Sequence, residues 1–180
     1  ASLIVALLIA VPIGIYSAVY KGSILDKSTI FLATLGISIP NFVMGPLLIL
    51  IFSLWLGWLP VSGNDGLSSL VLPALTLGSA LAAILSRMIR SSMLETMQQD
   101  YIRSARARGL SEFKVLVFHA LRNAALPVVT ILGMQFGTLL AGAVITETIF
   151  SWPGIGQLMI ESIQKIDYPK VQGCVIIISF

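Results

Sequence analysis

The chain has 180 residues, of which 57% are hydrophobic and only 11% charged, and its mean hydropathy is +0.96. Because soluble domains carry about 25% charged residues, this composition excludes a water-soluble globular protein. The formal net charge is +3 at pH 7, and the single cysteine, Cys174, excludes a disulfide framework.

Long apolar stretches dominate the chain. Four of them contain no Asp, Glu, Lys or Arg: Ala1–Tyr20, Ser28–Asn64, Gly66–Ser86 and Asn123–Thr146. A helix needs about 20 residues to cross a bilayer core, and the alternation of a barrel strand is absent. We therefore predict an all-α integral membrane protein, a polytopic helical bundle. Its expected spans cover residues 1–20, 28–57, 70–86, 124–146 and 168–180. Since the chain begins and ends inside apolar runs, we expect a fragment of a longer protein.

Basic residues are concentrated between two of these spans. Seven of the eleven lie between Arg87 and Arg122. A nucleic-acid interface would also be basic, but basic segments between membrane spans stay on the cytoplasmic side. We therefore place residues 87–123 in the cytoplasm. Alternation then puts 58–69 and 147–167 outside, with nine basic residues inside and two outside.

The second predicted span is too long for one straight crossing. Residues 28–57 would form about 45 Å of helix, against about 30 Å of hydrocarbon. Pro40 and Pro46 each lack a backbone donor and clash with the preceding helical turn. We expect a kink near Ile39-Pro40-Asn41, which serves either packing alone or transport.

The apolar stretches hold no charged side chain, and the only strongly polar side chains well inside them are Asn41 and Gln135. Ion-driven transporters place ionisable groups inside the membrane, because coupling needs a charge there. The pattern therefore favours a transport protein whose energy comes from elsewhere. The alternative is a secondary transporter or channel with a structured cytoplasmic loop.

Residues 87–123 show two helical periodicities separated by a glycine. The first is an apolar stripe with a basic end, formed by Leu94, Met97, Tyr101, Ala105 and Arg108. The second consists of Phe113, Leu116, Val117, Ala120 and Leu121. Gly109 suits a helix end at positive φ, and Ser111 can cap the next helix with Glu112 in its first turn. This helix–glycine–helix element would lie in the membrane interface, pack under the spans, or dock a partner.

The string Asp100–Thr130, DYIRSARARGLSEFKVLVFHALRNAALPVVT, resembles the cytoplasmic coupling motif of ABC importer permeases. The general motif reads Glu-Ala-Ala, three residues, Gly, nine residues, Ile, one residue, Leu-Pro. Aligned on Gly109, only Ala105, Gly109 and Leu121 match it strictly. The form used by the dipeptide, oligopeptide, glutathione and nickel branch, ARAKGLS…HALRNA…P, is matched closely.

A second block resembles the last external loop of the same branch. It reads ETIFSWPGIG at Glu147–Gly156, followed by DYP at Asp167–Pro169. The likeness covers the whole chain and implies a fragment of a six-span permease that lacks the first span. The residues it assigns to the external loop, as a candidate gate, are Glu147, Trp152, Pro153, Gly154, Gly156 and Asp167.

The resemblance implies a division of labour in a bacterial inner membrane, with this chain as a multi-pass permease subunit in the lipid bilayer. Two cytoplasmic ATPase subunits would bind ATP and Mg, while this subunit binds no cofactor. A second, homologous permease subunit and an external solute-binding protein complete the partners, and no nucleic acid is expected. The substrate class stays open among dipeptide, oligopeptide, glutathione and nickel complex. The residues assigned to ATPase coupling are Arg103, Ala105, Arg106, Arg108, Gly109, Leu110 and Ser111.

Other reactive side chains receive structural interpretations. His119 is the only histidine and has no clustered ligands in sequence, so we do not interpret it as a metal site. Glu147 and Asp167 are interpreted first as solvated or loop-fastening carboxylates, and second as contacts to substrate or binding protein. Cys174 is interpreted as a buried, inert thiol. The sequence contains no nucleophile–base pair or phosphate-binding loop, so we predict no enzyme.

Overall fold

In a computed structural model that describes residues 1–63 and 66–179, regular structure is entirely helical over that range. The helices are α1 (Ser2–Val19), α2 (Ile24–Ser38), α3 (Asn41–Leu48), α4 (Leu67–Met97), α5 (Asp100–Ala107), α6 (Glu112–Lys114), α7 (Arg122–Phe150), α8 (Ile155–Gln164) and α9 (Tyr168–Ser179). Two π-helical stretches, Ile49–Trp55 after α3 and Val115–Leu121 between α6 and α7, continue their helices. Asn64 and Asp65 of the predicted external turn, and Phe180 of the last predicted span, lie outside the described residues.

Three helices in the described chain are long and apolar enough to cross a membrane: α1, α4 and the helix Glu112–Leu140. α2 and α3 add a fourth if they act as one broken span, and α9 is a shorter apolar helix. Large apolar side chains stay exposed along these helices, as at Leu126 (70%) and Met134 (72%). The predicted all-α membrane fold is confirmed.

The predicted kink in the second span is confirmed as a complete break. α2 ends at Ser38, and α3 begins at Asn41 after Pro40, whose ψ of 149° is extended. Proline disfavours the helical conformation of the residue before it and cannot donate to the preceding turn. One apolar stretch therefore forms two helices.

The predicted limits of the cytoplasmic segment, at residues 86/87 and 123/124, do not coincide with helix ends. α4 runs without interruption to Met97, and the second helix of the segment is continuous with α7. Arg, Lys and Glu are good helix formers, so charge marks a change of environment without ending a helix. Our expectation of a separate second cytoplasmic helix is therefore wrong.

The chain divides into two compact units. Unit A comprises residues 4–38 and 79–135, and unit B comprises 1–3, 39–78 and residues from 136 onward. The core of unit A follows α4 at a spacing of four residues, through Leu81, Leu85, Ile89 and Met93. In unit B, Leu72, Thr76 and Phe150 are almost fully buried. The predicted cytoplasmic segment belongs to unit A and the external block to unit B.

Candidate functional site

The glycine of the predicted coupling element ends α5 in a left-handed turn. Gly109 has φ 76°, and its N–H donates to the Arg106 carbonyl at 2.9 Å. The N–H of Leu110 donates to the Ala105 carbonyl at 3.4 Å, so the helix ends in a Schellman motif. Only glycine adopts this conformation without a Cβ penalty, which confirms the reason given for a glycine here. We call Arg108–Ser111 the coupling turn.

An ion pair joins the two helices across the coupling turn. Arg106 Nε and Nη2 donate to the two Glu112 carboxylate oxygens at 2.8 and 3.3 Å. Ser111 occupies the N-cap position with extended backbone, but its hydroxyl makes no capping hydrogen bond. The predicted side-chain cap is therefore wrong, and the Arg106–Glu112 pair connects the two sides of the turn instead.

Ala105 lies on the inner face of α5, where it is 0% exposed within this chain, as is Ile102. Val115 and Ala120 of the following π-helical stretch are likewise fully buried. Ala105, which the resemblance assigns to ATPase coupling, is thus covered by its own chain. Half-buried Leu110 lies beside the exposed Ser111.

The outer face of the element presents aromatic and basic side chains. Phe113 is 69% exposed, and Arg108 forms no ion pair within the described residues. Arg103 Nη1 lies 3.6 Å from Asp100 Oδ1, and both side chains of this ion pair are exposed. The exposed surface of the element therefore includes Phe113 and the arginines, whereas Ala105 and Ala120 of the two predicted apolar stripes are buried.

Tyr101 and Asn123 connect the start of the element to the start of α7. The Asn123 side-chain amide donates to the Tyr101 hydroxyl at 2.8 Å and to the His119 carbonyl at 3.1 Å. His119 is half-buried in the π-helical stretch. Within the residues that the structure describes, no three His, Cys, Asp or Glu side chains converge as metal ligands.

The external block is organised around the Glu147 carboxylate. Glu147 Oε2 accepts the N–H of Gly156 at 2.8 Å and the N–H of Gln157 at 3.1 Å. These two groups lie in the first turn of α8, whose N-cap, Gly154, has no side chain to satisfy them. Glu147 thus caps α8 from the end of α7, which confirms its loop-fastening interpretation.

Two glycines of the block are required by close approach. A Cβ atom at Gly154 would lie 2.2 Å from Glu147 Cδ, and one at Gly156 would lie 2.6 Å from the Val144 Cα atom. Trp152 lies between Glu147 and these glycines in sequence and is half-buried. Its backbone N–H donates to the Glu147 carbonyl at 2.8 Å. Exposed Pro153 follows. The sequence WPGIG therefore specifies a tight junction between α7 and α8.

Asp167 lies before α9 and accepts the N–H of Lys170 at 3.4 Å, in the manner of an N-cap. The Lys170 side chain, hydrogen-bonded to it with an N–O distance of 2.7 Å, holds the pKa of the Asp167 carboxyl below its ordinary value. Asp167 is thus also a loop-fastening carboxylate, as first interpreted.

A small apolar cavity of about 150 Å³ lies beside the block in unit B. Pro73, Ala74, Leu77, Thr146 and Trp152 contribute to its lining. Pockets for small ligands generally measure at least about 300 Å³, so this cavity does not define a substrate site.

Sequence reasoning missed a buried ion pair in unit A. Asp26, only 2% exposed, accepts hydrogen bonds from Arg90 Nε at 2.7 Å and Arg90 Nη2 at 2.8 Å. The predicted charge-free spans exclude both residues, yet the helices α2 and α4 contain them. Ser23, whose hydroxyl accepts the N–H of Asp26 at 3.1 Å, gives a Ser-x-x-Asp helix-start pattern that could have drawn attention to Asp26. No sequence signal links Asp26 to Arg90, because 64 positions separate them.

Apolar helices of membrane length define a multi-pass membrane protein, and its helix–glycine–helix element resembles the coupling motif of transport permeases. The family described as "Binding-protein-dependent transport system inner membrane component" matches residues 10–180, and the chain belongs to this family. The predicted resemblance to ABC importer permeases and the inner-membrane location are thereby confirmed.

Individual relatives fall in the branch predicted from the two sequence blocks. The chain is 46% identical over 178 residues to the glutathione transport system permease protein GsiC of Salmonella choleraesuis (strain SC-B67). It is 43% identical to the protein of the same name from Escherichia coli (strain K12). Each alignment covers 99% of this chain and 58% of the relative. The chain thus spans somewhat more than half the length of these relatives.

Proposed function

We propose that the chain forms part of the translocation pathway of an ABC importer for a small peptide such as glutathione. Two cytoplasmic ATPase subunits would supply the energy, a second permease subunit would complete the pathway, and an external binding protein would deliver the solute. The glutathione assignment is supported by what the relatives are named for. Dipeptides, oligopeptides and nickel complexes are the competing solutes within the branch.

The observation that carries the coupling role is the exposed face around the coupling turn. Phe113 and Arg108 are both exposed within five residues of sequence, and Arg108 lacks an ion pair within the described chain. Such a surface suits a groove with an apolar floor and an acidic rim. Exposed aromatic and arginine side chains are characteristic of interface anchors. The Arg106–Glu112 pair and the Schellman motif hold this face in one conformation before any partner binds, which reduces the ordering cost of docking.

The proposal is tested by glutathione uptake into proteoliposomes that contain the complete transporter, with and without its ATPase subunits. We expect ATP-dependent uptake, and we expect Phe113→Ala to reduce both ATPase co-purification and uptake. Phe42→Ala is the control, because it removes a comparably exposed phenyl group (59%) from α3. Uptake driven by an ion gradient without the ATPase would favour the secondary-transporter alternative.

A further inference from the structure

The Asp26 carboxylate connects three parts of unit A. One oxygen accepts hydrogen bonds from the Ser17 hydroxyl, near the end of α1, and from Arg90 Nε in α4. The other accepts the N–H of Gly22, in the α1–α2 turn, at 2.8 Å, and the bond from Arg90 Nη2. Thr29, one turn further along α2, donates to the Ser17 hydroxyl at 3.2 Å. Each carboxylate oxygen thus has two donors, and each donor lies outside α2.

Stability alone is a weak explanation for this arrangement. Burying a carboxylate costs solvation free energy, and replacing a buried ion pair by apolar side chains of similar volume is often neutral or stabilising. What a bidentate arginine–carboxylate pair does supply is a fixed geometry, since two parallel hydrogen bonds define both distance and orientation. The pair therefore fixes the α1–α2 hairpin, here residues 4–38, against the part of α4 that lies in unit A.

A second contact fixes the same hairpin next to the pair. A Cβ atom at Gly14 would lie 2.7 Å from Ile89 Cβ and 2.9 Å from the Ser86 carbonyl oxygen. The α1 backbone therefore lies directly against α4, one residue before Arg90. The hairpin is therefore held against α4 by two contacts of different kinds, one polar and one of close backbone packing.

Arg90 is also close along the chain to the predicted coupling element. It lies seven residues before the end of α4 at Met97, a rise of about 10 Å, and α5 begins at Asp100. The buried stripe of α4 continues past Arg90 to Met93. The hairpin, this part of α4 and the coupling element all belong to unit A. Along the chain, only residues 98 and 99 and the packed end of α4 separate α5 from Arg90.

We propose that Asp26 and Arg90 are positioning residues for energy coupling, which make the α1–α2 hairpin move together with the coupling element when ATP binds. The inference rests on the proposed importer function. Without the pair, the element still engages the ATPase, but the hairpin no longer follows it. ATP is then hydrolysed with little transport.

The direct test is amide hydrogen exchange on the complete transporter, nucleotide-free and trapped with ATP and vanadate. In the wild type we expect trapping to change exchange both in the coupling turn and in residues 20–27, where the Gly22 N–H reports on Asp26. In Asp26→Leu/Arg90→Met, which leaves no unpaired buried charge, we expect only the coupling turn to respond. Glutathione uptake per ATP hydrolysed should fall about tenfold in this variant, within the range of ordinary coupling free energies.

Lys27→Gln is the matched control, because it removes an exposed neighbouring charge without touching the pair, and it should behave as the wild type. If the apolar double variant does not assemble, Asp26→Asn and Asp26→Glu test the inference instead. Only the Asp26→Glu variant should keep the response of residues 20–27 to trapping. A double variant whose hairpin responds as in the wild type, or equal behaviour of the Asn and Glu variants, would overturn the inference. A wild type whose coupling turn does not respond would instead contradict the proposed function.

Discussion

Two helices of this chain end in the same backbone geometry with different residues. α5 ends at the coupling turn with Gly109 at φ 76°, and α8 ends with Ile166 at φ 55°. Each has the hydrogen bonds of a Schellman motif, which for α8 join the Asp167 N–H to the Ser162 carbonyl at 2.9 Å and the Ile166 N–H to the Ile163 carbonyl at 3.1 Å. A β-branched residue in this conformation is strained, whereas glycine is not.

The comparison separates a relaxed turn in the predicted coupling element from a strained turn in the external block. A relaxed turn keeps its shape whether or not a partner is bound, as a docking element requires. The strain at Ile166 costs of order 1–3 kcal/mol and is maintained by the surrounding structure. Replacing the left-handed residue should therefore have opposite effects in the two turns: a side chain added at Gly109 introduces strain, whereas glycine at position 166 relieves it.

The largest effect is expected from Gly109→Val, which introduces a β-branched residue at positive φ into the coupling turn. The long helices α4 and Glu112–Leu140 should still insert, but the turn that lies between them in sequence should be distorted. We expect normal membrane levels and a loss of about tenfold or more in ATP-driven glutathione uptake. Gly57→Val, at φ 64° in the region between α3 and α4, is the matched control and should retain uptake.

A smaller effect is expected from Glu147→Ala, which leaves two N–H groups of α8 without their acceptor. Loss of a helix cap costs about 1–2 kcal/mol. The melting temperature of the purified protein in detergent should fall, and exchange should rise at Gly156 and Gln157. Glu147→Gln keeps one carbonyl acceptor and should be milder, so equal effects of the two variants would argue against capping.

The reverse substitution, Ile166→Gly, is expected to stabilise the protein slightly. Glycine at position 166 removes the left-handed backbone strain of the folded state, and it also raises the conformational entropy of the unfolded state. Because the first effect is larger, we expect the free energy of unfolding to rise by about 0.5–1 kcal/mol. Ile163→Gly is the control, because it places glycine within α8 and should destabilise by about 1 kcal/mol. A lower melting temperature for Ile166→Gly would show that burial or packing of this side chain outweighs its backbone strain.

These two turns also show what the sequence can predict. Gly109 followed by Ser111 and an apolar stripe is recognisable as a helix end, because glycine is the residue that the conformation favours. Ile166 gives no such signal, and its turn follows from the packing of α8 against α9. Asp26 and Arg90 are hidden for a related reason, since a contact over 64 positions depends on tertiary structure.

Burial on the predicted coupling element was only half predictable. The periodicity indicated helices on both sides of Gly109, but it missed the break between Met97 and Asp100. It also could not tell a face that packs on its own chain from one that faces a partner. Ala105 and Phe113 illustrate the error, since the small residue is covered by the chain and the large one is exposed. Because a membrane protein can expose phenylalanine, hydrophobicity alone does not show which of these two residues is buried.

The smallest effect concerns the start of α9. Because the pKa of Asp167 is lowered in the folded protein, its interaction with Lys170 stabilises the fold above the unfolded pKa of about 3.9 and is lost as pH falls further. Melting temperatures should therefore decline slightly more below pH 4 in the wild type than in Lys170→Gln. Identical acid profiles would show that this exposed pair contributes nothing measurable, as many surface pairs do.

The central claim is that the exposed face of the coupling element docks an ATPase subunit. A photo-cross-linking amino acid in place of Phe113, in the complete transporter within native membranes, tests it most directly. We expect a covalent product with the ATPase from position 113 and none from position 163, which lies in the predicted external block and is 55% exposed. Cross-linking of position 113 to lipid alone, with the ATPase still bound to the complex, would contradict it.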